Sequence, residues 1–137
     1  MNVGEAFFDT NVVLYLLASD ELKADRAEEL ISVGGVISVQ VLNEAAHVMR
    51  RKLSMTWTEV NQVLSRIATI CLVKPLTVET HLRGKQIAER YGLSIYDSMI
   101  CAAAVLAGCS VLYTEDLQDG LLIAKTLTLR NPFRIGT

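Results

Sequence analysis

Residues 7–16, which read FFDTNVVLYL, decide the fold from a position near the start of the chain. A short apolar run ends at Asp9, and a second apolar run follows the capping-type residues Thr10 and Asn11. This pattern predicts a buried strand over residues 5–9 that passes at once into a helix over residues 11–18, with Thr10 as its cap. Asp9 therefore stands at the carboxyl end of the first predicted strand.

The same alternation of short apolar strands and amphipathic helices continues along the chain. Further strands are predicted over residues 36–39, 71–73, 110–114 and 126–129, and further helices over residues 23–33, 40–53, 57–69, 78–91 and 95–107. Such alternation predicts an α/β fold with a mainly parallel, five-stranded sheet and helices on both faces. We expect residues 1–137 to form a single domain, because no repeat or linker is visible and the length suits one hydrophobic core.

The composition is rich in apolar residues for a small protein, with 51% of the chain hydrophobic. This surplus predicts a covered apolar surface, as in a dimer or a complex with a partner. No apolar run reaches about 18 residues, and the first residues lack a signal-peptide pattern, so no association with a membrane is expected. Three cysteines in apolar surroundings are typical of reduced, buried thiols in a cytoplasmic protein.

The net charge of −2 is unusual for a protein that binds nucleic acid, since such proteins are usually basic. Four of the acidic residues, however, are candidates for a metal site. Without those four, 13 basic residues face 11 acidic ones, a balance of +2. The charge therefore permits a nucleic-acid substrate.

The four candidate acids are Asp9, Glu44, Asp97 and Asp116, and each lies near a predicted change between strand and helix. In a parallel sheet, ligand sites lie beyond the carboxyl ends of the strands, where Asp9 and Asp116 are expected. A cluster of carboxylates needs a compensating cation. Because oxygen ligands suit Mg²⁺ or Mn²⁺, the cluster predicts a metal-dependent nuclease.

Asp9 and Asp97 also have structural explanations. An acid at the start of a helix is favoured by the helix dipole, which applies to Asp9 unless Thr10 takes the cap. Asp97 follows Ser94 at the spacing of a capping box, although Asp replaces the usual Glu or Gln. The helix that follows carries no other charge, which favours a functional role for Asp97.

Glu44 has a plain alternative as part of a solvated helix face. Gln40, Glu44, His47 and Arg51 form one polar stripe on the helix predicted over residues 40–53. The opposite stripe predicts the buried positions, which are Leu42, Ala45, Ala46, Met49 and Leu53. We expect His47 to be a surface residue.

The segment after the fourth predicted strand, residues 114–120, is an acid-rich turn that reads TEDLQDG. Such a turn is often only a solvated loop. Asp116 is the better candidate because it lies closer to the end of the strand. Asp119 is expected at the rim of the site, and Glu115 is expected to face solvent.

Taken in order, these segments resemble the PIN-domain proteins, most closely the VapC-like toxins of toxin–antitoxin pairs. The resemblance rests on residues 7–16, 37–44 (ISVQVLNE), 94–100 (SIYDSMI), 112–120 (LYTEDLQDG) and 131–133 (NPF). It extends over essentially the whole chain. The fold that it implies is a three-layer α/β/α domain.

The resemblance implies that Asp9, Glu44, Asp97 and Asp116 are the catalytic and metal-binding acids, with Asn11 and Thr114 as supporting polar groups. It implies one or two Mg²⁺ or Mn²⁺ ions and hydrolysis of phosphodiester bonds in RNA. It also implies a small antitoxin partner and a homodimer.

Functions other than that of a toxin are also compatible with the sequence. A catalytically silent PIN-like module that acts as a scaffold, and a housekeeping RNA-processing nuclease, share the resemblance. A phosphoacceptor receiver domain is disfavoured because Val73, Lys74 and Pro75 occupy the place of its acid after the third strand. A phosphatase of the haloacid-dehalogenase type is disfavoured because Asn11 replaces its second aspartate.

Overall fold

The computed structural model describes residues 6–134, which are organised around one six-stranded sheet. Its strands are β1 (Ala6–Phe8), β2 (Val36–Ser38), β3 (Leu72–Lys74), β4 (Val111–Tyr113), β5 (Leu122–Ile123) and β6 (Leu127–Arg130). They lie in the order β3-β2-β1-β4-β6-β5, and all neighbours are parallel except β5 and β6. The predicted α/β fold with a mainly parallel sheet is confirmed. The prediction of five strands is wrong by one, because β5 has only two residues and lies at the edge of the sheet, paired with β6.

Six α-helices connect these strands. They are α1 (Thr10–Leu14), α2 (Glu21–Ser32), α3 (Val39–Arg51), α4 (Trp57–Ile70), α5 (Val78–Tyr91) and α6 (Ile95–Leu106). The helix predicted over residues 11–18 is shorter than expected, since a 3-10 helix takes over at Tyr15–Leu17. Helix α2 begins earlier than predicted because Asp20 caps it, accepting a hydrogen bond from the Lys23 amide at 3.3 Å. Residue 5, the predicted start of the first strand, lies outside the described residues.

The strand order places the helices in two layers. The chain moves in one direction from β1 to β2 and β3, through α1–α4, and then crosses back past β1 to β4 through α5 and α6. Because parallel crossovers are right-handed, this reversal puts α1–α4 on one face of the sheet and α5–α6 on the other. The gap between β1 and β4 is thus the switch point of the sheet.

The core lies on both faces of the central strands. Phe7, Val36, Ile37 and Leu112 are completely buried, as expected of parallel strands that are covered on both sides. Gly35 allows the close approach that this packing needs, since a Cβ there would lie 2.5 Å from the ring of Phe8. No helix within residues 6–134 is long and apolar enough to cross a membrane.

The three thiols are free and buried, as predicted. Burial raises the pKa of Cys71 and of Cys109 to about 11 and that of Cys101 to about 12. Each therefore stays protonated at neutral pH.

Helix α3 packs four of its five predicted apolar residues against the core, although Leu42 and Ala46 are only partly buried. Its buried residues are Gln40, Val41, Ala45 and Met49, whereas Leu53 lies beyond the end of the helix and is 47% exposed. Ala45 and Met49 were predicted correctly. The burial of Gln40, a polar residue, has its reason in the candidate site.

Candidate functional site

The candidate site lies at the carboxyl ends of β1 and β4, on the switch point of the sheet. Phe8 pairs with Tyr113 in the register of these strands, so the next residues, Asp9 and Thr114, come side by side. The Asp9 amide donates to the Tyr113 carbonyl at 3.0 Å, which extends the pairing by one residue. This is the edge at which the sequence predicts a site.

Asp9 is a buried carboxylate with both oxygens engaged. It is 6% exposed. Its Oδ1 accepts a hydrogen bond from the Thr10 amide at 2.7 Å, and its Oδ2 accepts one from the Thr114 hydroxyl at 2.8 Å. Asp9 is thus the cap of α1, and the prediction that Thr10 fills this position is wrong. The Thr10 hydroxyl is instead used by a more distant acid.

That acid is Glu44, on the first turns of α3. Thr10 donates its hydroxyl to Glu44 Oε1 at 2.6 Å, and Gln40 donates its amide to Glu44 Oε2 at 3.0 Å. The same Gln40 nitrogen lies 3.0 Å from the backbone oxygen of Tyr96, at the start of α6. Glu44 is half-buried and fixed at both oxygens, so it is not part of a solvated polar stripe. Gln40, which the sequence did not single out, links it to the helix that carries Asp97.

Asn11 lies between Asp9 and the acid after β4, Asp116. Its amide nitrogen is 3.0 Å from Asp116 Oδ2, 3.4 Å from Thr114 Oγ1 and 3.5 Å from Asp9 Oδ2. The Asp116 amide in turn donates to the Thr114 hydroxyl at 3.2 Å. The two supporting residues therefore connect the acids of β1 and β4.

Asp97 lies in the first turn of α6. Its backbone amide donates to the Ser94 hydroxyl at 3.1 Å, which forms one half of the predicted capping box. The reciprocal bond, from the Ser94 amide to the Asp97 carboxylate, is not made, and within residues 6–134 that carboxylate accepts no hydrogen bond. The Asp97 carboxylate therefore makes no hydrogen bond in the helix cap.

We call the four acids Asp9, Glu44, Asp97 and Asp116 the acid cluster. Three of them, Asp9, Glu44 and Asp97, are linked electrostatically. The pKa of Asp9 is raised to about 6, mainly by burial, and the negative charges of Glu44 and Asp97 raise it further. The hydrogen bonds from Thr114 and Thr10 oppose this rise. In the described part of the chain, the ion pairs involve Glu115, Glu29 and Asp119, and none involves the acid cluster.

The cluster suits a divalent cation in its chemistry but is not a ready-made ligand set. All of its donors are carboxylate oxygens, which Mg²⁺ and Mn²⁺ prefer, and Asp9 is buried without a counter-charge. Across residues 6–134, however, no three His, Cys, Asp or Glu side chains converge at a possible metal position. The amide of Asn11 stands between Asp9 and Asp116 instead.

An open cleft beside the acid cluster has a volume of about 470 Å³. It lies between α1, the first turns of α3 and the turn after β4. Its walls are formed by Thr10, Asn11, Leu14, Asn43, Glu44, His47, Val48 and Asp116. His47 is exposed, as predicted, and it faces this cleft.

The two remaining acids of the turn have other partners. Asp119 accepts hydrogen bonds from the Asn131 amide at 2.8 Å and from the Arg134 guanidinium at 3.1 Å. The bond from Asn131 lowers the pKa of Asp119. Asp119 therefore holds the segment after β6 and makes no hydrogen bond to the acid cluster. Glu115 was predicted to face solvent, and this is wrong. It is paired with Lys23 at 2.7 Å and its side chain is 25% exposed.

Comparison with known families gives one match, over most of the chain. A family model described as PIN domain matches residues 6–118. No curated protein sequence matches the chain with significance.

Solved structures with the same architecture include two toxin–antitoxin complexes and one toxin. A toxin–antitoxin complex from Klebsiella pneumoniae contains a chain with a TM-score of 0.74 and 20% identity, and the match covers 96% of this chain and 100% of that one. DNA-bound VapBC from Salmonella typhimurium has a TM-score of 0.69 and 18% identity, with 94% and 98% covered. VapC20 of Mycobacterium tuberculosis, described as a toxin that cleaves the sarcin–ricin loop, has a TM-score of 0.64 and 18% identity, with 82% and 90% covered. At these identities the likeness shows a shared fold.

Proposed function

The chain belongs to the PIN-domain family, and from this premise we propose that it is a divalent-metal-dependent ribonuclease, the toxin of a toxin–antitoxin pair. The observation that carries the proposal is Asp9. It is a buried carboxylate at the switch point of the sheet, close enough to Glu44 and Asp97 for their charges to raise its pKa. Burying an acid among other acids destabilises a fold unless a cation is bound there.

In this proposal Asp9, Glu44, Asp97 and Asp116 hold Mg²⁺ or Mn²⁺. When bound, the metal would activate a water molecule and neutralise charge on the scissile phosphate. Thr10 and Gln40 orient Glu44, and Thr114 orients Asp9, so two of the acids are already fixed. The cleft lined by Asn11, Asn43 and His47 gives a single-stranded RNA segment access to them.

The test is cleavage of total RNA by the purified, partner-free protein with Mg²⁺, with Mn²⁺ and with a chelator. We expect discrete fragments with either metal and none with the chelator. Asp97→Asn should cleave RNA at least about a hundredfold more slowly, because losing a carboxylate that holds the metal should reduce activity at least as much as losing a residue that supports such a ligand. The substitution should spare the fold, since the cap bond to Ser94 uses the backbone of Asp97.

Asp25→Asn is the matched control, since it changes an exposed aspartate on α2 away from the cluster. It should cleave like the wild type. Metal-independent cleavage that survives in Asp97→Asn would contradict the proposal. The absence of cleavage by a folded wild-type protein would favour a catalytically silent PIN module.

The toxin assignment includes a protein partner and draws on two further observations. Two of the structures named above, from Klebsiella pneumoniae and Salmonella typhimurium, are toxin–antitoxin complexes. This chain also has an open groove of about 380 Å³ between the 3-10 helix, α2 and α4, lined largely by Leu16, Leu17, Ile31, Val63, Ile67 and Ile70. We propose that a small antitoxin covers apolar surface of this kind, and that the nuclease itself is a cytoplasmic homodimer.

Growth of bacteria that express the chain tests the toxin role. Expression of the wild type should arrest growth, whereas equal expression of Asp97→Asn should not. Arrest by both proteins would mean that toxicity does not arise from the acid cluster. Light scattering of the purified protein tests the homodimer separately.

A further inference from the structure

We infer that Tyr15, Lys23 and Glu115 form a clamp that positions Asn11 and Asp116 in the candidate site. The inference rests on the proposed function, because it concerns how that site is held together. These three residues come from the 3-10 helix, from α2 and from the turn after β4, and none of them belongs to the acid cluster. We call them the Glu115 clamp.

The clamp engages both carboxylate oxygens of Glu115. Lys23 Nζ lies 2.7 Å from Glu115 Oε2 and 3.0 Å from the Tyr15 hydroxyl oxygen. The Tyr15 hydroxyl donates to Glu115 Oε1. A carboxylate held by one cation and one hydroxyl cannot rotate without breaking a charge-assisted hydrogen bond.

Packing fixes the clamp in place. The Tyr15 ring meets the Phe133 ring edge-on, with centroids 4.6 Å apart, and Lys23 Nζ lies 4.7 Å from the Tyr15 centroid. The Lys23 and Glu115 side chains are only 34% and 25% exposed. Glu115 is therefore held more firmly than an acid in a solvated ion pair.

The backbone of Glu115 transmits this restraint to the site. Its amide donates to Asn11 Oδ1 at 3.1 Å. Because a backbone amide can only donate, this bond fixes the Asn11 oxygen toward Glu115 and leaves the Asn11 nitrogen directed toward Asp116 and Asp9. The residues on either side of Glu115 are Thr114 and Asp116, so its side chain anchors the turn that presents both of them.

The other ion-paired residues of the described chain make no hydrogen bond to Asn11, although Asp119 lies in the same turn as Glu115. Arg26 pairs with Glu29 on the same helix, and Arg134 pairs with Asp119 near the end of the described chain. Arg26 thus offers a matched control for Lys23. It is on the same helix and has the same charge, and its side chain donates hydrogen bonds to Glu29 and to the Pro132 carbonyl but to no residue of the turn after β4.

The experiment uses Tyr15→Phe and Lys23→Met, with Arg26→Met as the control and Lys23→Arg as the conservative variant. Tyr15→Phe keeps the ring on Phe133 and removes only the hydroxyl, so it tests the clamp even if Lys23→Met fails to fold. The first measurement is the side-chain amide resonance of Asn11 by nuclear magnetic resonance, without metal. We expect it to shift in Tyr15→Phe and Lys23→Met, to stay unchanged in Arg26→Met, and to return toward the wild-type position in Lys23→Arg.

The second measurement is the Mn²⁺ dissociation constant, from the signal of free Mn²⁺ in electron paramagnetic resonance. Loss of the clamp should weaken Mn²⁺ binding about tenfold, as expected for a group that orients ligands, and Arg26→Met should leave it unchanged. A fall in melting temperature with no change in the Asn11 resonance or in Mn²⁺ affinity would show a merely structural role and overturn the inference.

The two proposals fail in distinguishable ways. If the wild type neither binds Mn²⁺ nor cleaves RNA, the proposed function fails. The positioning of Asn11 by the clamp is then refuted separately, by an Asn11 resonance that is unchanged in Tyr15→Phe and Lys23→Met. If the wild type cleaves RNA and both clamp variants match it in all measurements, the clamp alone is refuted.

Discussion

At the scale of single residues, Asp9 combines a structural duty with a proposed functional one. Its Oδ1 caps α1 and its Oδ2 accepts the hydrogen bond from Thr114. From the sequence, a helix cap and a functional role were alternatives for Asp9, because a sequence pattern does not show which partner each carboxylate oxygen has. The structure makes them compatible.

The raised pKa of Asp9 predicts a pH dependence of stability. Because the pKa is about 6 in the folded chain against 3.8 for an ordinary Asp, the folded state holds a proton that the unfolded state loses. The stability contributed by this proton is present below about pH 4 and is lost as the pH rises through 6. Two pKa units correspond to about 3 kcal/mol.

Asp9→Asn isolates this effect, since the amide cannot titrate and can still accept the capping bond. In urea unfolding without metal, we expect the variant to be about 2–3 kcal/mol more stable than the wild type at pH 7.5 and about equal to it at pH 4. A difference that stays constant with pH would show that Asp9 does not titrate in this range. The variant should be inactive toward RNA.

Two acidic or amide residues show why the site was only partly predictable from sequence. Gln40 was assigned to a solvated stripe, yet it is buried because the Tyr96 carbonyl, which is distant in sequence, supplies its partner. Glu115 was assigned to solvent, yet Lys23 holds it from another helix. Patterns in sequence reveal the periodicity of one element but not the partner that a second element brings.

At the scale of elements, two glycines set how closely their neighbours approach. A Cβ on Gly35 would lie 2.5 Å from the Phe8 ring and 3.0 Å from the Ala6 carbonyl oxygen. A Cβ on Gly84, within α5, would lie 2.4 Å from the sulfur of Met99 on α6. The first neighbour is a packed ring beside backbone, whereas the second is the flexible end of a side chain.

This difference predicts unequal costs for two similar substitutions. Gly35→Ala should lower the free energy of unfolding by about 1–3 kcal/mol, because the ring of Phe8 has no free space. Gly84→Ala should be close to neutral, because Met99 can rotate and alanine gains about 1 kcal/mol of helix propensity over glycine. Urea unfolding of the two variants is the measurement, and equal costs would contradict this account.

Some boundaries of the elements followed from local signals in the sequence, whereas the starts of α1 and α2 did not. Helix α4 begins at the predicted residue, Trp57, where Thr56 and Glu59 form a complete capping box. Helix α5 was predicted over its observed bounds, Val78–Tyr91. Strand β5 was missed, since Leu122–Ile123 is too short to show alternation and depends on its pairing with β6.

At the scale of the whole molecule, the strand order is what gathers the candidate site. Residues more than one hundred positions apart, such as Asp9 and Thr114, meet because β1 and β4 are neighbours. The alternation of strands and helices predicts such a sheet, but only the order of strands decides which acids share an edge.

Metal binding at the proposed site should stabilise the folded state, because these acids come together only in the folded chain. With Mn²⁺ at about one hundred times its dissociation constant, we expect a gain of about 2.7 kcal/mol, which raises the melting temperature by on the order of 10 °C. The gain should shrink at pH 5, where Asp9 is largely protonated, and should be much smaller in Asp97→Asn. Differential scanning calorimetry measures it, and equal shifts at both pH values would argue against binding by Asp9.

The buried thiols have a practical consequence. Cys71 lies just before β3, Cys101 lies within α6 and Cys109 lies just before β4, so the sheet edge, one helical layer and the sheet centre each carry one. A thiol reagent can reach them only when the chain opens locally, because each is buried and protonated in the closed state. The three cysteines are thus natural labelling positions. Their separate reaction rates would report how often each part of the protein opens locally, without any introduced probe.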